Sequence, residues 1–140
     1  MTTLSYKAVK DALVAILQGV TQIKVVYDGE RPKLDKFPAA CVSAKSHTAT
    51  LHDTVSNSKT YQHFIRIYFQ TNSTTDADYE DVLEQVADAA IAALESNLTL
   101  SGTCDWSLPT SGEWRSSPTA KEVPVKYIEL VVTSRARVVR

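Results

Sequence analysis

Three histidines, His47, His52 and His63, fall within one short stretch of the chain, and neutral imidazole is the commonest metal ligand. Two strands pairing across this stretch would bring His47 and His63 near each other. The spacing fits no HxH or HExxH pattern, and neither Cys41 nor Cys104 stands close enough to complete a clustered ligand set. All three histidines are therefore read as ordinary hairpin residues, and no metal site is expected.

Other chemistries fare no better. The four glycines, Gly19, Gly29, Gly102 and Gly112, are at least ten positions apart, so neither a Walker loop nor a dinucleotide fingerprint can be assembled. No GxSxG or Cys-His constellation is present, and the serines and threonines have no obvious base beside them. The carboxylates crowd one helix face, an arrangement more typical of a solvated or partner-facing surface than of paired catalytic acids. The two cysteines read as small buried hydrophobes. The two Asn-x-Thr matches, at Asn72 and Asn97, read as chance in a chain with no sign of secretion. The expectation is a non-enzymatic protein without a cofactor. Trp114 beside Arg115 is a candidate anchor for a partner, because these residue types dominate interface hot spots.

The bulk composition narrows the classes further. Fifteen basic and sixteen acidic residues leave a formal charge of -1, which gives no general pull toward nucleic acid or anionic membrane. The apolar runs ALVAIL and AAIAAL are far shorter than the ~18 residues a membrane span requires. Lys7, Lys10 and Asp11 interrupt the N-terminal segment where a secretory signal would need an apolar core. A soluble chain made in the cytoplasm is expected. At 140 residues it is sized for a single domain, 1–140, with one core.

These residues must be positioned by a small set of elements. Val9, Ala12, Leu13, Ile16, Leu17 and Val20 recur at helical spacing, with Thr3 or Ser5 available as a cap and Gly19 at the end. Ile23, Val25 and Tyr27 alternate as a short strand before the Asp28-Gly29 turn, and FPAACVSAKSHTAT reads as a second strand. A polar stretch of about residues 47 to 59, including Leu51, His52 and Asp53, has few large apolar side chains and is expected as the tip of a long projecting hairpin. Thr75 and Asp78 can open a second helix with Tyr79, Val82, Leu83, Val86, Ala90, Ala93 and Leu94 as its apolar stripe. Asp81, Glu84 and Asp88 lie on its unrelieved acidic face. Cys104, Trp106 and Leu108 alternate as a short strand, and LPTSGEWRSSPTAKEVP is expected to be irregular. VKYIELVVTSRARVV reads as the last strand.

The stretch TYQHFIRIYFQTN poses the main question. Tyr61, His63, Ile65, Ile67 and Phe69 share one side of a strand, while Phe64, Arg66 and Tyr68 share the other. The order α, β, ββ, α, β, β predicts an α+β fold with two helices packed on one face of a mixed or antiparallel sheet. Two helices leave the sheet's second face open, carrying Phe64, Arg66, Tyr68, Tyr127, Val131 and Arg135. Such a face is expected to meet a partner, unless a loop around Trp114 folds back over it.

An N-terminal amphipathic helix, a strand ending YDGERP, the KFPAACVS strand, a long polar hairpin, an acidic helix and a late Arg-bearing strand together resemble the tail terminator, or tail completion, proteins of long-tailed bacteriophages. The resemblance spans nearly the whole chain and rests on architecture and size. It implies a non-enzymatic structural protein of the virion, at the head-proximal end of the tail and in the host cytoplasm during assembly. Its implied partners are other copies of itself in a ring, usually of six, the tail tube protein and a neck protein, with genomic DNA passing through unread and no membrane involved. Phe64, Arg66, Tyr68, Leu51, His52, Asp53, Glu84, Asp88, Trp114, Arg135 and Arg137 are the candidate contact residues. Glu84 and Asp88 are expected to meet Arg135 or Arg137 of a neighbour. A neck or head-completion connector is the nearest alternative, and a small ligand-binding or enzymatic α+β domain is the alternative from another class.

Overall fold

The computed structural model describes residues 4–29, 36–51, 56–70, 76–100, 102–118 and 124–139. His52, Asp53, Thr75 and Asn72 lie outside them, and so do the readings that rest on these four.

The first helix, α1 (Tyr6–Gln18), begins where Ser5 places its Oγ to accept from the Ala8 N–H at 3.1 Å. This satisfies one of the amides that a helix start leaves without a partner. Val9, Leu13 and Leu17 are its fully buried stripe. The helix stops at Gly19, whose N–H donates to the Ile16 carbonyl. Strands β1 (Val25–Tyr27), β2 (Ala39–Leu51) and β3 (Ser56–Gln70) follow, then helix α2 (Asp76–Glu95) and strands β4 (Trp106–Pro118) and β5 (Pro124–Val139).

The five strands form one mixed sheet in the order β1-β2-β3-β5-β4. β1 runs parallel to β2, and every other neighbouring pair is antiparallel. Alternation then sorts the side chains. Ala40, Val42, Ile65, Ile67, Phe69, Ile128, Leu130 and Val132 point to the same side and merge with Val9, Leu13, Leu17, Leu83, Val86, Ala90 and Leu94 into one core. Both helices therefore cover one face of the sheet, as the order of elements predicts. No helix among the described residues is long and apolar enough to cross a membrane.

Three local expectations are corrected. Of the stretch expected to be irregular, residues 119–123 lie outside the described residues, and residues 108–118 belong to β4, a 13-residue strand paired to β5. Pro109 and Pro118 are compatible with it because β4 is an edge strand, and a register shift between Pro109 and Ser111 absorbs the first of them. The stretch expected as the hairpin's tip, about 47 to 59, is paired strand out to Leu51 and again from Ser56. The reason is a third strand: β5 accompanies β3 over its whole length, from Gln70 opposite Val125 to Ser56 opposite Val139. Finally, Val82 is 51% exposed and belongs to the outer side of α2, not to its buried stripe.

Candidate functional site

The sheet face opposite the helices is built as successive cross-strand rows. In one row, Tyr68 of β3 stands opposite Tyr127 of β5, which stands opposite Arg115 of β4. In the next, Cys41, Arg66, Glu129 and Glu113 line up across β2, β3, β5 and β4. A third contains Ser43, Phe64, Val131 and Ser111. Further along, Thr60, Arg135 and Trp106 form another row. Phe64, Arg66, Tyr68, Tyr127 and Val131 are all partly exposed, and both helices lie on the other side.

The polar groups of this face are paired among themselves. Arg66 Nε donates to Glu129 Oε2 at 2.8 Å, and Arg115 reaches the other oxygen of Glu129 at 3.8 Å and Glu113 at 3.0 Å. Two arginines and two glutamates thus neutralise one another in a chain across three strands. The Phe64 ring receives the Arg66 guanidinium at 4.4 Å and the Lys45 ammonium at 5.8 Å, a contact that keeps cations over its negative face. Tyr68 and Tyr127 pack with centroids 5.0 Å apart. Thr133 bonds Thr110 at 2.8 Å, and Gln62 accepts from Ser46 at 3.0 Å. What remains for a partner is aromatic surface around an already satisfied ion row.

The remaining contact candidates separate into different places. Trp114 lies on the helix side of β4, 6.1 Å from the Phe69 ring and beneath the Lys126 ammonium, so it does not fold over Phe64 or Tyr68. Glu84 and Asp88 are exposed on α2, in the helix layer. Arg135 and Arg137 are exposed on β5; Arg135 donates to Ser58 at 3.3 Å, and the Arg137 backbone N–H donates to the Asp105 carboxylate. A single chain does not bring these acids and arginines together. Leu51 is 62% exposed at the end of β2.

The histidines acquire a structural role. Both His47 and His63 face α1, and Tyr6 connects them: its hydroxyl is 3.0 Å from His47 Nδ1, and its carbonyl accepts from His63 Nε2 at 3.1 Å. Tyr61 packs edge-on against Tyr6 at 4.6 Å and stacks on His47 at 5.5 Å. His63 is fully buried, and burial, aided by the charge of Lys10, holds its pKa below the ordinary imidazole value against the opposing Tyr6 hydrogen bond. Beside this cluster is a cleft of about 350 Å³ bounded by Tyr6, Lys7, Lys10, Asp28 and Val42. No group of three His, Cys, Asp or Glu among the described residues could hold a metal ion.

A scan of protein-family models gives no match, and no curated protein sequence is significantly similar to this chain.

Sequence reading places Phe64, Arg66 and Tyr68 on a common face, and they do share one. It does not join Glu129 and Arg115 to them, because that union depends on the β3–β5–β4 register. The spacing of the last strand does put Glu129 on the same side as Tyr127 and Val131. Tyr6 carries no local signal of its role, since its partners are 41 and 57 positions away.

Proposed function

We propose that this chain is a tail terminator of a long-tailed bacteriophage, a non-enzymatic protein that closes into a ring on the last turn of the tail tube, stops its growth and joins it to the neck. The observation that carries the reading is the open sheet face, where Phe64, Tyr68, Tyr127 and Val131 surround an internally neutralised Arg66–Glu129–Arg115 row. Partly exposed aromatics with no unmatched charge between them suit a protein-protein contact better than a solvated surface. The architectural resemblance described above supplies the particular assembly. In this reading the partners are further copies of the chain, the tube protein and a neck protein, and DNA passes through the ring without sequence recognition.

Light scattering together with negative-stain imaging tests the proposal. Rings that bind the ends of purified tail tubes and halt their elongation are expected. A monomer at high concentration that also fails to bind tubes would overturn it.

A further inference from the structure

The two long edges of the sheet are unequal in how they are finished. On the outer side of β2, β1 pairs only with Ala39, Ala40 and Cys41. From Val42 to Leu51, no described strand lies against that edge. This run has no proline or glycine and a single formally charged residue, Lys45, and after the register shift between Ala44 and Ser46 it is regular to its end. Thr48, Ala49, Thr50 and Leu51 are exposed. Natural sheets ordinarily blunt such an edge with proline, charge or a covering segment, because its unpaired N–H and C=O groups are a template for another strand.

The other edge, that of β4, is bracketed by Pro109 and Pro118, which supply no N–H. Between them, Thr110 to Ser117 is free of proline and of similar length to the open run of β2, and Thr110 to Arg115 are exposed. Strand directions also agree. Because β2, β3, β5 and β4 alternate in direction, β4 of one copy laid against β2 of another continues the antiparallel alternation across the junction. Lys45 stands on the first edge, and Glu113, 65% exposed beside its Arg115 partner, stands on the second.

We infer that neighbouring copies join edge to edge, the open run of β2 on one receiving the Thr110–Ser117 run of β4 on the next, so that the sheet continues through the assembly. This is a heterologous contact, using different surfaces of the two copies, and it must close on itself to end. The inference rests on the ring proposed above, and it names the surfaces that build it.

Cysteine pairing tests it cleanly, since Cys41 and Cys104 are buried and burial raises the Cys104 thiol to about 11. Thr48 and the trial positions Ser111 and Glu113 belong to the same face of the sheet, so Thr48→Cys is combined in turn with S111C and E113C, covering alternative registers. A disulfide forms only where Cβ atoms approach to about 4 Å. Under mild oxidation, at least one pair is expected to give denaturant-resistant bands at two, three and more times the chain mass, while the single variants do not.

In the unsubstituted chain, hydrogen exchange should slow at Ser46–Leu51 when assembly is raised by concentration. Rings that form with no cross-link from any pair and no slowed exchange would overturn the edge contact and leave the ring standing. Dimers from Thr48→Cys alone would replace it with a two-fold β2–β2 contact. A chain that stays monomeric would overturn both inferences.

Discussion

Arg66 and Glu129 face each other directly across the β3–β5 ladder, Nε to Oε2 at 2.8 Å, with side chains 23% and 14% exposed. At that exposure the pair is neither a solvated surface contact nor a fully desolvated one. Glu129→Gln takes the ionised partner from Arg66, while Arg115 keeps its contact with Glu113. A loss of about 1–3 kcal/mol is expected for Glu129→Gln. A smaller loss is expected when Arg66→Met and Glu129→Gln are combined than the sum of the two single losses, because the double change removes both charges of the pair beside Phe64. Urea denaturation of the two singles and the double variant measures the coupling.

His63 should make stability depend on pH in a defined direction. Its folded pKa lies below the ordinary value of about 6.5. Above that value both states are neutral at this site and its contribution is fully present. As the pH falls through the ordinary value toward the depressed one, the unfolded state takes up a proton that the folded state refuses, and stability is lost. Melting temperature should therefore drop between pH 7 and 5.5, and the drop should shrink in His63→Gln. An equal drop in the variant would assign it to other groups.

Gly112 is held to its size by a neighbour. A Cβ at this position would lie 2.9 Å from Leu130 Cδ2, inside the core. Gly112→Ala should cost about 1–2 kcal/mol by forcing that methyl aside. Adding Leu130→Val removes the clashing carbon, so the combined loss should fall short of the sum of the two single losses. Thermal or urea unfolding of all three variants decides it.

Leu13, fully buried where α1 meets the sheet, reports on the core itself. Leu13→Ala should cost about 2–5 kcal/mol through lost burial and the cavity it leaves. Tyr68→Ala, on the partly exposed open face, should cost less stability and yet weaken ring assembly. Unfolding curves paired with light scattering separate the two effects.

Glu84 and Asp88 lie in the helix layer, whereas Arg135 and Arg137 project from β5. Reversing both arginines to glutamate should weaken ring formation, and reversing Glu84 and Asp88 to lysine in the same chain should restore part of it. Assembly unchanged at low and moderate salt would assign these charges to solvated surface.

The legible parts of this fold are those fixed by local period. Leu13 and Leu17 at helical spacing, and Ile65, Ile67 and Phe69 at alternate positions, announce which face is buried without knowledge of the partner. Ser5 shows its role by type and place. β4 was obscured because Pro109, Gly112 and Pro118 carry turn signals, and only position at a sheet edge makes them compatible with a strand. Thr48 and Thr50 could be read into the second strand and also into the polar hairpin tip, because nothing local reveals that β5 lies one strand away, alongside β3. Of the candidate site, Phe64, Arg66 and Tyr68 could be grouped from one strand, but the ion row required three strands in register.

The central place of β5 has a consequence for how the chain reaches its native state. Its neighbours β3 and β4 are separated in sequence by α2, and neither pairs with the other. Until β5 slots between them, β3 offers a 15-residue edge bearing Ile65, Ile67 and Phe69 to any strand nearby. Such non-local closure is slow, and its waiting time is when misassembly competes. The rate at which Pro124–Val139 finds its slot thus sets the interval of greatest risk for aggregation, well before any ring is built.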